Sequence, residues 1–216
     1  MAGFARAERD ALADTLIRVG PDAPTLCSGW SAADLAAHLV IRDSRPDAAA
    51  GIMVKPLAGW NARVQAGVRD RLSFEALVTK VRQGPPFWSP MRIPALDELT
   101  NTAEFFIHNE DLRRPAGDAP RELDPALSEQ LWRQLRKSAR LQFRAAPVGV
   151  TLVRHESADE PLQTVVAKAA TPLMVTVSGP AGELTLFASG RMEAAQVELS
   201  GEDSAIQRLR TTKLGI

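Results

Sequence analysis

Apolar positions recur with a helical period through residues 3–145 and with a shorter, strand-like period after residue 146. In the span 3–19, Leu12, Leu16 and Val19 stand at i, i+4 and i+7, with Phe4 on a nearby face. Gly20 and Pro21 end that run. Residues 31–44, SAADLAAHLVIRDS, predict a second helix. Ser31 and Asp34 form a capping-box-like pair, and Trp30 and Leu35 flank the cap as a hydrophobic staple. Leu35, Leu39 and Ile41 define its apolar side, with His38 at or beside it. Residues 46–60, punctuated by Pro46, Gly51, Pro56 and Gly59, read as a loop or a broken helix. Helices are expected over 61–71 and 73–83, the second capped by Ser73, and GPPFWSP at 84–90 is too proline-rich for regular structure. Residues 97–115, DELTNTAEFFIHNEDLRRP, predict one long helix with acids at its positive end and Arg113 and Arg114 at its negative end. Leu99, Ala103, Phe106 and Ile107 supply its expected apolar side, and Asn101, Glu104, His108 and Asp111 form or flank a polar stripe. A last helix of this kind spans 125–145, with Leu127, Leu131, Leu135 and Phe143 on its buried side and Trp132 beside them.

From Val148 the pattern changes to the short runs VGVTLVRH, TVVAKAA, LMVTVSG, ELTLFASG and AAQVELSG, each predicting a strand. SGPAGE at 178–183 reads as a hairpin loop, and GEDSAIQRLRTTKLGI as a closing helix. The fold class is therefore α+β: a four-helix bundle over 1–146, then a small α+β domain with a mostly antiparallel sheet over 147–216.

Composition narrows the function classes. The hydrophobic share of 45% and charged share of 24% are those of a soluble globular protein. A formal net charge of zero gives no general attraction to nucleic acid or an anionic membrane. The single cysteine, Cys27, excludes an internal disulfide and fits a reducing cytosol. Charges every few residues rule out a signal peptide in MAGFARAERDALADTL, and no apolar run reaches the about 18 residues of a membrane helix. A cytoplasmic protein is expected.

Three histidines are present, His38, His108 and His155. Glu104 and His108 stand four apart, so both project from one helix face. A carboxylate and an imidazole on a mostly apolar helix need a partner, because burying them unpaired is costly. Two readings stand on the residues alone. His38, Glu104 and His108 are three N/O ligands for a metal with an open position, or Glu104 and His108 are a hydrogen-bonded structural pair. Cys27 reads as a small buried hydrophobe or a further ligand, and His155 as a surface or edge residue. Arg191, in FASGR, is a solvated loop residue or an anion-binding one. There is no Walker loop, no G-x-G-x-x-G, no C-x-x-C and no G-x-S-x-G.

LCSGWSAADLAAHL at 26–39, followed by NTAEFFIHNEDLRRP at 101–115, resembles the metal-binding domain of mycothiol-dependent maleylpyruvate isomerases, part of the DinB/YfiT-like superfamily of four-helix metal proteins. The second segment is similar to a subgroup described only as metal-binding protein of unknown function. LMVTVSGPAGELTLFASGR is weakly similar to the sterol-carrier-protein-like domain of the same isomerases. The resemblance implies metal ligands at His38, Glu104 and His108, with the glutamate marking the isomerase branch. It implies a substrate arginine in the second domain, for which Arg191 is the candidate. The implied metal is zinc, with nickel, iron and manganese also suited to His and carboxylate ligands. The implied cofactor is mycothiol, and the implied reaction an isomerisation or S-transfer on a small electrophile. The other reading is a non-catalytic metal-binding protein or a small-ligand-binding module. Relatives occur as monomers and homodimers.

Overall fold

The structure is a computed structural model, describing residues 3–44, 58–156, 161–169 and 172–215. Most of the expected loop or broken helix at 46–60 lies outside the described residues. The described residues form eight α-helices and one four-stranded sheet. They divide into two compact units, Met1–Pro120 and Arg121–Ile216.

The first unit contains α1 (Phe4–Val19), α2 (Ala32–Ser44), α3 (Ala58–Arg71), α4 (Phe74–Gln83), a 3-10 turn (Pro90–Arg92) and α5 (Pro94–Arg113). Local signals account for its helix ends. Ser31 Oγ accepts from Asp34 N at 3.3 Å, while Asp34 Oδ2 accepts from Ser31 N at 3.0 Å, which closes the capping box of α2. Ser73 Oγ accepts from Ala76 N and caps α4. The core is built from Leu12 and Leu16 of α1, Leu35 and Leu39 of α2, Leu77 and Val81 of α4, and Phe105 and Leu112 of α5. The closest pairing is α1 along α5, and α2 packs on α3 and α4.

Helix α5 buries Phe106 of the expected apolar side and, with it, much of the expected polar stripe. Leu99 is exposed, whereas Asn101, Thr102, His108, Asn109, Glu110 and Asp111 are buried. Hydrogen-bond and ion-pair partners explain how polar groups can face inward. Thr15 of α1 donates to Asn109 Oδ1 at 2.7 Å. Arg113 and Arg114 do more than complement the helix end: both pair with the buried Glu110 carboxylate, at 3.2 and 2.6 Å. Glu98 lies too far inside α5 to serve its own first turn. Its carboxylate instead accepts the backbone N–H of Ala5 at 3.0 and 3.2 Å, capping α1, whose own N-cap residue Gly3 has no side chain to offer.

The second unit contains α6 (Pro125–Gln142), β1 (Gly149–Arg154), β2 (Gln163–Lys168), β3 (Met174–Gly179), α7 (Ala181–Ala188), β4 (Glu198–Gly201) and α8 (Asp203–Arg210). The change of periodicity near 146 and the division of compact units at 120/121 differ because α6 packs on α7 and β2 through its buried Leu127, Leu131, Trp132 and Leu135. Strand order is β2-β1-β3-β4. The β1–β2 and β3–β4 pairs are antiparallel, while β1 and β3 are parallel, with Val150 opposite Val175 and Leu152 opposite Val177.

Two strand expectations are corrected. ELTLFASG is not a strand, and SGPAGE is not a hairpin loop, since residues 181–188 form α7. Every residue of α7 is buried, so its apolar run carries no period that distinguishes helix from strand. Glu156 accepts from Ala181 N at 3.1 Å and so serves the helix N-terminus from a distance in sequence. AAQVELSG contributes only the short β4. Among the described residues, no helix is long and apolar enough to cross a membrane.

Candidate metal centre

The first unit brings His38 of α2 together with Glu104 and His108 of α5. One ligand atom from each lies within 4.8 Å of the others. The i, i+4 spacing places His108 Nε2 3.2 Å from Glu104 Oε1. That separation matches the edge of a tetrahedron of ligands about 2.0–2.1 Å from a zinc ion, roughly 3.3 Å. The His38 and His108 rings stand edge to face with centroids 5.4 Å apart. Trp30, beside the α2 cap, packs against His38 with ring centroids 5.1 Å apart.

Protonation favours coordination by His38. Burial, reinforced by the neighbouring His108, drops its pKa to about 3, so its ring is neutral and offers a lone pair. His108 behaves oppositely. Burial alone would lower its pKa, but hydrogen bonds with Asp111, Cys27 and Glu104 outweigh it and raise it well above the usual range. Burial likewise opposes ionisation of Glu104, yet His108 and Arg42 hold its carboxyl below the ordinary range. A cation replacing the proton between His108 and Glu104 therefore meets an ionised carboxylate. The donor set of two imidazoles and a carboxylate fits a divalent transition metal.

Sequence reasoning left three residues around this cluster without firm roles. Arg42, one turn after His38, places Nε 3.2 Å from Glu104 Oε1 and also donates to Asn101. Its spacing from His38 was the readable signal. Asp111, one turn after His108, takes His108 Nδ1 at 2.8 Å, so E-x-x-x-H-x-x-D is the fuller pattern. Cys27 donates from Sγ to Asp111 Oδ2 at 3.2 Å. Cys27, His108 and Asp111 make a second group of potential ligand atoms within 4.8 Å. Only the loop that returns Cys27 to α5, tied by Leu26 N to Asp111 O at 3.0 Å, makes that group possible.

Arg191 lies in the second unit just after α7, where its guanidinium donates to Ser189 O at 2.8 Å. His155 follows β1 in the same unit.

A helical unit bearing an inward His–Glu–His cluster and a second, α+β unit together define a class of two-unit fold with a metal-type donor set. Among solved structures, the fold is similar to that of mycothiol-dependent maleylpyruvate isomerase. A histidine-to-alanine variant of that enzyme matches with a TM-score of 0.56 at 17% identity, over 92% of this chain and 91% of that one. Another crystal structure of the enzyme matches with a TM-score of 0.51 at 17% identity and the same coverage. The chain shares this fold. No family model matches the sequence, and no curated protein does.

Proposed function

We propose that this chain is a divalent-metal protein in which His38, Glu104 and His108 hold the ion, and that it acts as a thiol-dependent isomerase or S-transferase on a small electrophilic substrate. The observation that carries the reading is the convergence of these three ligand atoms within 4.8 Å. Zinc suits the donors best; nickel, iron and manganese are the other candidates. When bound, the ion would lower the pKa of a thiol and hold it as the nucleophilic thiolate.

The residues around the site support an anionic partner. His38 is neutral, Glu104 and Asp111 are acidic, and Arg42 supplies one positive charge. A divalent ion there leaves a single net positive charge, which one monoanion such as a thiolate cancels. Uncompensated charge is costly in a buried site. The fold shared with a mycothiol-dependent isomerase makes mycothiol the first thiol to test. Addition of the thiolate to one carbon of a double bond, rotation about the resulting single bond and expulsion of the same thiolate returns the thiol unchanged. Arg191 is assigned to the substrate carboxylate. The protein is assigned to the cytoplasm, as a monomer or homodimer, with a DinB-like bundle and a sterol-carrier-like domain.

A second reading rests on the Cys27–His108–Asp111 group. If Cys27 or Asp111 closes the metal shell, the ion is structural and the protein is a non-catalytic metal-binding protein or a small-ligand-binding module.

Elemental analysis of untagged protein beside His108→Ala tests the metal. About one equivalent of a transition metal, lost in the variant, is expected; no metal, and none taken up from zinc or nickel, removes the reading. Thiol-dependent turnover of an activated electrophile by the loaded protein separates the enzyme from the binding module.

A further inference from the structure

We propose that Asp111 is a positioning residue of this centre, fixing the His108 ring so that Nε2 is its metal-binding nitrogen; the inference rests on the metal reading above. The two ring nitrogens point to opposite sides. Nε2 faces Glu104 Oε1 at 3.2 Å, and Nδ1 faces Asp111 Oδ2 at 2.8 Å. A cation shared by Nε2 and Glu104 therefore does not share Asp111. The carboxylate instead accepts the Nδ1–H, which selects one tautomer and makes the opposite nitrogen a better donor.

Asp111 is well placed to hold an orientation. It is fully buried at the last full turn of α5. The loop before α2 is pinned to it twice, through Leu26 N to its carbonyl at 3.0 Å and through Cys27 Sγ to its carboxylate at 3.2 Å. That loop is itself braced, because Thr25 Oγ1 accepts from Cys27 N at 3.1 Å and donates to Trp30 O at 2.9 Å. Trp30 then packs on His38. One short segment thus reaches behind both histidines, restraining His108 through Asp111 and His38 through the indole. Rotation of either ring would have to disturb this segment as well as the ring itself.

The test is zinc affinity by chelator competition for the full chain and for Asp111→Asn, which keeps the side-chain shape but removes the charge. It is paired with 15N NMR of the histidine rings in the zinc-loaded wild type. The expected results are a zinc affinity weakened about 10–100-fold in Asp111→Asn, in a variant that still folds without metal, and a His108 coordinated through Nε2 with Nδ1 protonated. Coordination through Nδ1, or an affinity within about twofold of wild type, overturns the proposal while leaving the metal reading intact. If Asp111→Asn does not fold, the wild-type ring signals decide alone. A wild type that takes up no zinc overturns the metal reading and this inference with it.

Discussion

Arg42 Nε and Glu104 Oε1 lie 3.2 Å apart, joining the residue one turn beyond His38 to the carboxylate one turn before His108. The guanidinium thus links α2 and α5 beside the proposed ligands. After His108, it is the group that most favours the ionised form of Glu104, and it also reaches Asn101 and the Thr100 carbonyl. In the metal-free protein, Arg42 and His108 share the task of balancing Glu104; a bound cation would take over part of it. Arg42→Ala is expected to destabilise the metal-free protein by about 1–3 kcal/mol, the cost of leaving buried hydrogen-bonding partners unmatched. Added zinc should recover more stability in the variant than in wild type. Thermal denaturation of both proteins with and without zinc checks this, and equal zinc-induced shifts would refute it.

Glu98 is the cap of a helix to which it does not belong. Removing it in Glu98→Ala leaves Ala5 N–H at the start of α1 without its carboxylate and takes a partner from Thr102. The expected loss is about 1 kcal/mol, the usual cost of a lost N-cap. Glu98→Gln, which keeps one acceptor oxygen, should lose less. Urea midpoints rank the three proteins, and the reverse order of the two variants would contradict the assignment.

Glu156 gives the second unit an acid-sensitive joint. Burial alone would raise its pKa, but hydrogen bonds from Ser128, Ala181 N and Arg154 overcome it and hold the carboxyl below its usual 4.5. Because the folded pKa is the lower one, the unfolded chain takes up the proton first as pH falls. The stabilisation is full above about 4.5 and is lost as pH drops through the folded value. Glu156→Gln should therefore be less stable than wild type at neutral pH, with the difference shrinking on acidification. Denaturant midpoints between neutral pH and pH ~3 test it; a constant gap would exclude the mechanism.

Gly84 ends α4 at φ 74°, and a Cβ there would stand 2.6 Å from an Arg9 guanidinium nitrogen. That guanidinium lies over the Phe105 ring at 4.7 Å and pairs with Asp97 at 3.1 Å. Gly84→Ala combines a strained backbone with displacement of a buried cation. A loss of more than about 1 kcal/mol is expected in thermal or urea unfolding. A neutral effect would mean that Arg9 moves aside freely.

The sequence by itself determined the elements whose signals are local. The 3.6-residue period, the Ser31–Asp34 box and the Ser73 cap located α2 and α4 closely, because a helix end is satisfied by residues three positions away. The Glu104–His108 pair was legible for the same reason: four residues along a helix always return to one face. Tertiary structure decided what no period encodes. The polar face of α5 turns inward because Thr15 and Arg42 arrive from far along the chain to satisfy it, beside Arg113 and Arg114 at the helix's own C-terminal end. ELTLFA becomes a helix because it is buried all round, where alternation has nothing to distinguish. Cys27 and Asp111 meet, and Glu98 and Glu156 cap distant helices, only after the chain has folded back on itself. Local rules fix which groups seek partners; the fold alone fixes which partner each one finds.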